Sequence, residues 1–305
     1  MLGFAERLVE AVRRFKTPLC VGIDPRWDQI PLAVRQPFGG AVPNSLEAVA
    51  LAYETFCGRV LELVAGKVGV VKFQVAFFEQ CGSHGIACLE RLLVKARELG
   101  LLNIQDGKRN DIASTATAYA EAAFGGPSFG GKRFLVHSID AITVNPYLGS
   151  DAVEPFIQQA RSFQGGIFIL VRTSNPGAGL FQDLMCPEEK LYRQVAKLVE
   201  SFNLGNSGPA GFGDVGAVVG ATYPAELAEL RQLMPNTLFL VPGYGAQGAS
   251  ASDLAGAFRP DGTGAVINSG RAITFAAKTN QPDWESQLEM ACEKAKGELA
   301  EVCPL

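Results

Sequence analysis

The chain has 305 residues, 48% of them apolar and 19% charged, with a formal net charge of −4 at neutral pH. That composition supplies ample material for a large buried core, while the mild acidity and the lack of a lysine or arginine stripe argue against a nucleic-acid surface, so an anionic ligand must be caught by a local site. Seven scattered cysteines (Cys20, Cys57, Cys81, Cys88, Cys186, Cys292, Cys303) with no Cys-x-x-Cys pair fit reduced thiols in a cytoplasmic protein better than a disulfide framework or a zinc site.

In chain order, residues 1–16 mix Glu6 and Glu10 with basic residues at helical spacing, a pattern wrong for a signal peptide, and no later apolar run approaches the roughly 18 residues that cross a bilayer. A soluble, intracellular protein is expected. Short apolar or β-branched runs then recur: Pro18 to Ile23, Val68 to Gln74, Leu101 to Gln105, Ala141 to Val144, Gly166 to Val171, Val215 to Val219, Leu238 to Val241 and Ala265 to Ile267. Continuous apolar runs of this length suit parallel strands covered on both faces. Amphipathic stretches lie between them, among them Ser45 to Val64, Cys88 to Leu99, Leu191 to Phe202 and Pro224 to Leu233. Eightfold strand-helix alternation predicts an α/β fold of the (β/α)8 TIM-barrel type, read as one domain over 1–305 with insertions near 125–133 and 175–214. A doubly wound sheet is the rival, but the Gly-rich dinucleotide turn it often carries is absent after the first strand.

Nearly every strand-like run ends in a polar or glycine-containing signature. These are Asp24-Pro-Arg26, Lys72 with Gln74, Asp106 with Lys108, Asn145-Pro-Tyr147, Arg172-Thr-Ser174, Thr222, Pro242-Gly-Tyr-Gly-Ala-Gln247 and Asn268-Ser-Gly-Arg271. A barrel gathers all these carboxyl ends on one face, where sites of this fold are built. The densest signature is Asp106-Gly-Lys-Arg-Asn-Asp-Ile-Ala113. In an extended strand Asp106 and Lys108 share a face, and ionisable groups packed so closely are costly to keep dry unless something uses them. Lys72, between Val71 and Phe73, is expected to be buried, which requires an anion to keep its proton; Asp106 or Asp111 would supply it. Bland readings stand beside these. Asp111 precedes the helical run Ile112 to Phe124 and could serve as its N-cap, and Lys108 could snorkel into solvent. The loops after strands seven and eight, the usual phosphate-holding loops of the fold, offer glycine backbone N–H groups, the Gln247 amide and the Arg271 fork. Alternatively their glycines serve only tight turns and Arg271 caps solvent.

Asp106-x-Lys108-x-x-Asp111, Lys72 on the preceding strand, Asp24 on the first and Pro242-Gly-Tyr-Gly-Ala-Gln247 together resemble the orotidine 5'-phosphate decarboxylase family over essentially the whole chain. Val136-His-Ser-Ile-Asp-Ala-Ile-Thr-Val-Asn-Pro-Tyr-Leu-Gly149 and Arg172-Thr-Ser-Asn-Pro176 make its longer bacterial type (subfamily 2) the best match, although Asn110 and Ala113 stand where that family usually has glycine. The resemblance implies decarboxylation of orotidine 5'-monophosphate to uridine 5'-monophosphate without a cofactor. Lys108 would protonate C6, Asp106 would sit beside the substrate carboxylate, and Lys72 would hold Asp106 and a ribose hydroxyl. It further implies a homodimer in which Asp111 reaches the partner's site. Asp24 and Thr115 join the substrate-binding set with Thr173 or Ser174 at the pyrimidine edge, and Pro242, Gln247, Gly270 and Arg271 at the phosphate.

No metal, flavin, pyridoxal or thiamine signature is present in the sequence, so no cofactor or metal is expected. His84, in a polar loop, reads as solvated, and His137, beside Ser138 and Asp140, as a structural hydrogen-bonder. Two rival functions share parts of the pattern. A metal-dependent sugar-phosphate lyase or decarboxylase with the same D-x-K-x-x-D motif looks to a carboxylate on strand two, where this chain has Lys72. A non-catalytic phosphorylated-ligand binding protein would not need the full Lys-Asp-Lys-Asp cluster.

Overall fold

Residues 2–136, 139–245 and 248–305 are described by a computed structural model. The eight apolar runs become parallel strands β1 (Leu19–Ile23), β2 (Val70–Gln74), β3 (Leu102–Arg109), β4 (Ala141–Val144), β5 (Gly166–Arg172), β6 (Val215–Val219), β7 (Phe239–Val241) and β8 (Ala265–Ser269). Each strand pairs with the next, and β8 returns to β1 with Ile267 beside Leu19, closing the (β/α)8 barrel. Closure removes both sheet edges.

The period of two along each strand divides the core. One side chain per strand (Cys20, Val70, Ile104, Ala141, Phe168, Val218, Leu240 and Val266) fills the barrel interior. Their neighbours, such as Val21, Val71, Ile142 and Ile267, face outward into a larger cluster beneath the helices. Burial on both faces explains why the strands read as unbroken apolar runs rather than alternating ones.

Helix α1 (Phe4–Phe15) precedes the barrel and plugs its base, adding Phe4, Leu8, Val9 and Val12 to the interior cluster. Phe4 meets Phe168 edge-to-face at 5.8 Å between ring centroids. Room for it depends on Gly166, where a Cβ would fall 2.2 Å from the Phe4 ring. Burying such a ring is worth about 1.5–3 kcal/mol.

The ring helices are α2 (Leu46–Val64), α3 (Gly82–Glu98), α4 (Ala113–Ala123), α5 (Ser150–Ser162), α6 (Leu191–Asn203), α7 (Pro224–Leu233) and α8 (Trp284–Ala300), with a short 3-10 turn over Ser252–Ala257 between β7 and β8. Ser45 caps α2 by accepting the Ala48 N–H at 3.1 Å. Helix α3 starts earlier than the apolar periodicity predicts, because its first turn is polar and solvent-facing; His84 therefore lies exposed on a helix rather than in a loop. Among the described residues, two small hairpins stand outside the barrel: Ser128–Phe129 with Lys132–Arg133, and Met185–Cys186 with Glu189–Lys190. The 175–214 region thus holds a ring helix, α6, as well as added structure. Among the described residues, no helix is long and apolar enough to cross a membrane. His137 lies outside the described residues.

Candidate active site

A cavity of about 1030 Å³ opens at the carboxyl ends of the strands, lined on one side by Asp24, Lys72, Asp106, Lys108 and Thr143 and on the other by Thr173, Ser174, Gln182, Tyr192 and Pro242. A second groove, about 770 Å³, lies among the outer helices beside Phe38, Arg59 and Trp284. Its Arg59 and Lys95 are already matched to Glu62 and Glu285.

Asp106 is the hub of the strand-end cluster. Its Oδ2 accepts from Lys72 Nζ at 2.9 Å and Gln74 Nε2 at 3.0 Å, and its Oδ1 from Lys108 Nζ at 2.7 Å and Thr143 Oγ1 at 2.9 Å. Four donors fill the acceptor sites of one carboxylate. Burial opposes the charge on Asp106, but the adjacent Lys72 and Lys108 ammoniums overcome it and hold the carboxyl well below the usual carboxylate range. Lys72, with a side chain only 5% exposed, is likewise penalised by burial, yet Asp106 and Asp24 raise its affinity for a proton above the ordinary lysine value. Both groups stay ionised at neutral pH, and the expectation that a buried Lys72 needs an anion is met by Asp106.

Lys108 meets Asp106 by a different route from the one its spacing suggests. The β3–β4 register jumps from Gln105–Ile142 to Arg109–Val144, so β3 carries two extra residues. Within this bulge Lys108 adopts a left-handed backbone, φ 44°, which costs a non-glycine residue about 1–2 kcal/mol. Thr143 stabilises the kink: its Oγ1 accepts the Lys108 backbone N–H at 2.9 Å while donating to Asp106. The shared face of an extended strand is therefore the wrong reason for the contact. The Lys108 side chain is 46% exposed, but its ammonium turns back to Asp106 rather than into open solvent.

Asp24 directly follows β1, 3.9 Å from Lys72 Nζ through Oδ1, which has no hydrogen-bond partner among the described residues. Its position depends on two glycines. A Cβ on Gly22 would stand 2.9 Å from Gly270 Cα, and one on Gly270 would stand 3.0 Å from Asp24 Oδ2. Asn268 at the end of β8 also lines the cavity.

The loops after β7 and β8 adjoin, with the Cβ position of Gly245 3.5 Å from Ala272 Cβ. Gly243, Gly245 and Gly248 all have positive φ, at 107°, 73° and 95°, a region that glycine enters readily, and the Gly245 and Gly248 N–H groups donate to the Ala249 and Gly245 carbonyls, each at 3.1 Å. The loop is tethered behind by the Tyr244 hydroxyl, which donates to Glu298 on α8. Pro242 lines the cavity, whereas Arg271 is exposed at the first position of a short helix, Arg271–Thr274. Gln247 lies outside the described residues.

Across the cavity, the Thr173 hydroxyl donates to Asn175 Oδ1 at 2.7 Å and accepts from Gln182 Nε2 at 2.8 Å, and its N–H donates to Gln182 Oε1 at 3.0 Å. Thr173 is thus committed to its own loop. Ser174 packs over Gly220, where a Cβ would come 3.0 Å from that of Ser174.

Asp111 and Thr115 are not brought to this cavity within one chain. The N-cap of α4 is Ile112, with no side-chain cap, so Asp111 is not the cap; its Oδ1 accepts the adjacent Ile112 N–H at 2.8 Å. Thr115 is exposed on α4. Ala113 has φ 48°, a left-handed conformation that explains why glycine suits this position. Thr143 was missed by sequence reasoning. The signal was a lone hydroxyl in the apolar run Ala141–Val144, since a buried polar group needs a partner.

The Orotidine 5'-phosphate decarboxylase / HUMPS family matches residues 17–282. A protein of Rhodopirellula baltica named orotidine 5'-phosphate decarboxylase is 46% identical over 298 residues, 95% of this chain and 97% of the relative. One of Deinococcus radiodurans with the same name is 42% identical over 90% of this chain and 89% of its own. The solved OMP decarboxylase of Leishmania donovani superposes with a TM-score of 0.76 at 31% identity, covering 99% of this chain and 98% of that one.

Proposed function

The chain belongs to the orotidine 5'-phosphate decarboxylase / HUMPS family, and from that premise we propose how it decarboxylates orotidine 5'-monophosphate to uridine 5'-monophosphate, the last step of de novo pyrimidine synthesis. The observation that carries the reading is the Lys72–Asp106–Lys108 array fixed on adjacent strand ends at the cavity floor.

Breaking the C6–carboxylate bond releases carbon dioxide and leaves an electron pair in the plane of the pyrimidine ring, where no conjugated sink receives it. The protein must therefore stabilise that charge directly. Lys108 Nζ transfers a proton to C6 as the pair develops, and the neutral amine recovers a proton from water. Asp106 aims Lys108 and places a fixed negative charge beside the departing carboxylate, while Lys72 holds Asp106 and, with Asp24, receives the ribose hydroxyls. A single ammonium at about 4 Å from a developing anion contributes roughly 4 kcal/mol at an effective dielectric near 20. Slow reactions of this kind need roughly 20 kcal/mol of barrier lowering. The remainder falls to preorganisation of the whole array, to exclusion of water and to binding energy from the non-reacting phosphate. Gly270, Arg271, Gln247 and the 242–248 loop hold that phosphate, and the loop closes over it.

Thr173 or Ser174, which both line the cavity, meets the pyrimidine edge. Asp111 acts in trans: in a homodimer the partner's Asp111 completes the charge array, which accounts for its distance from the cavity of its own chain. We read the chain as one barrel domain with insertions near 125–133 and 175–214.

The direct test is loss of the orotate chromophore when the purified protein meets orotidine 5'-monophosphate in the presence of EDTA. Turnover under chelation is expected; abolition by EDTA would favour a metal-dependent lyase of the same motif. Mixing Lys108→Ala with Asp111→Ala protein should restore a fraction of activity that neither has alone, and no recovery on subunit exchange would remove the shared-site assignment.

A further inference from the structure

Behind the cavity wall opposite the charged cluster, four ionic side chains meet. Arg172, the last residue of β5, has a side chain only 3% exposed. Its Nε and Nη2 donate to Glu226 Oε2 and Oε1 at 2.6 and 3.3 Å, and Nη2 also reaches Asp183 Oδ2 at 3.4 Å. Lys190 Nζ donates to Asp183 Oδ1 at 3.0 Å and lies 4.0 Å from Glu226 Oε1. The guanidinium stands over the Tyr223 ring at 4.6 Å and the Tyr192 ring at 5.2 Å.

These four residues are not scattered along the chain at random. Arg172 stands immediately before the 173–190 segment, Asp183 sits midway, Lys190 ends it, and Glu226 in the first turn of α7 supplies the fixed post. None of the four lines the cavity; the uncharged Thr173, Ser174, Phe181 and Gln182 of the segment do, with Tyr192 just beyond it, while the ions stand behind. That wall combines aromatic faces with hydroxyl and amide groups, the chemistry that receives a flat heterocycle with donors and acceptors along its edge. Gln182, next to Asp183, is the residue that fixes Thr173, so the ionic anchor is one residue from the wall it would set.

We propose that the Arg172–Glu226–Asp183–Lys190 quartet positions the wall that faces the nucleobase, and that Glu226 and Asp183 are positioning residues for base recognition. This rests on the nucleotide reading above. Breaking a buried ion pair leaves its partner's charge uncompensated, so the wall must rearrange to rehydrate Arg172. Asp183 is 36% exposed, and its loss should have little effect on overall stability.

The test compares the affinities of uridine 5'-monophosphate and ribose 5-phosphate, which shares the phosphate and sugar but has no base, for the full-length protein. Wild type should prefer the nucleotide; if it does not, the functional reading itself fails. Glu226→Gln should weaken nucleotide binding about tenfold or more and Asp183→Asn by several-fold, while ribose 5-phosphate binding stays within about twofold for both. Equal weakening of the two ligands, or no change in either, overturns the positioning role while leaving the functional reading intact. Should Glu226→Gln not fold, the Asp183→Asn comparison decides alone.

Discussion

The two sides of the cavity are built differently. On one side Lys72, Asp106 and Thr143 project from strands that are almost wholly buried, each matched to a partner on the adjacent strand of a closed hydrogen-bonded sheet. On the other, Ser174, Gln182 and the glycines of 242–248 ride on loops whose anchors lie behind them, at Arg172–Glu226 and Tyr244–Glu298. Opposed charges must be held at fixed separation before substrate arrives, or they would collapse or protonate. Groups that grip a ligand must let it enter. The division places electrostatics on the rigid elements and recognition on the adjustable ones.

If this division is right, damage on the strand side should fall on kcat and damage on the loop side on KM. The largest effect is expected for Lys108→Ala, which removes both the proton donor and about 4 kcal/mol of charge stabilisation and should lower kcat by about a thousandfold or more. Single-turnover rates would check this, and a variant retaining a tenth of the activity would break the assignment. On the loop side, Arg271→Ala forfeits a charge-assisted contact of roughly 1.5–3 kcal/mol and should raise KM by about ten- to a hundredfold. The same substitution should leave turnover of the phosphate-free nucleoside unchanged. Thr143→Val would sharpen the comparison. It leaves the Lys108 N–H and one Asp106 acceptor site unpaired, at about 1–3 kcal/mol, so kcat should drop roughly tenfold with KM nearly constant, and Thr143→Ser should restore most of the loss.

The pH dependence is narrower. Asp106 lies below its unfolded value, so its ionised form contributes stability above about pH 3.9 that is lost only as pH falls through the lower folded value. Lys72 lies above its unfolded value, so its contribution is complete below about pH 10.4 and disappears only at higher pH. The stability gap between wild type and Asp106→Asn should therefore stay flat from about pH 5 to 9 and close in strong acid, as urea titrations would show. The smallest expected effect is at Ala113, φ 48°. Ala113→Gly relieves about 1 kcal/mol of left-handed strain against a similar entropic cost. It should be nearly neutral, whereas Ala118→Gly on the exposed face of the same helix should cost about 1 kcal/mol.

What could be read ahead of the structure follows the same division. Unbroken apolar runs can bury both faces only in a covered parallel sheet, so the strands and the barrel were legible. Lys72 was legible because a lysine between Val71 and Phe73 has no path to water. The bulge at Lys108 was not, because it depends on Thr143 one strand away, and backbone conformation set by a neighbouring strand leaves no periodic trace. The start of α3 at Gly82 was hidden because a first helical turn facing solvent carries no apolar pattern. The bland reading of Asp111 as a helix cap failed for a related reason: Ala113 turns left-handed immediately after Ile112, and the carboxylate accepts its neighbour's N–H. The engagement of Thr173 had to wait for Gln182, whose side chain returns from nine residues downstream.

Barrel closure has a bearing on how the chain matures. Leu19 lies beside Ile267 and Cys20 beside Asn268, so during synthesis the first strand emerges from the ribosome long before its final neighbour exists. Until β8 has been made, both margins of a growing curved sheet carry unpaired backbone groups and apolar side chains, the features that invite aggregation. Nascent chains stopped short of residue 265 should therefore depend on chaperones, and chains released beyond Ser269 should not.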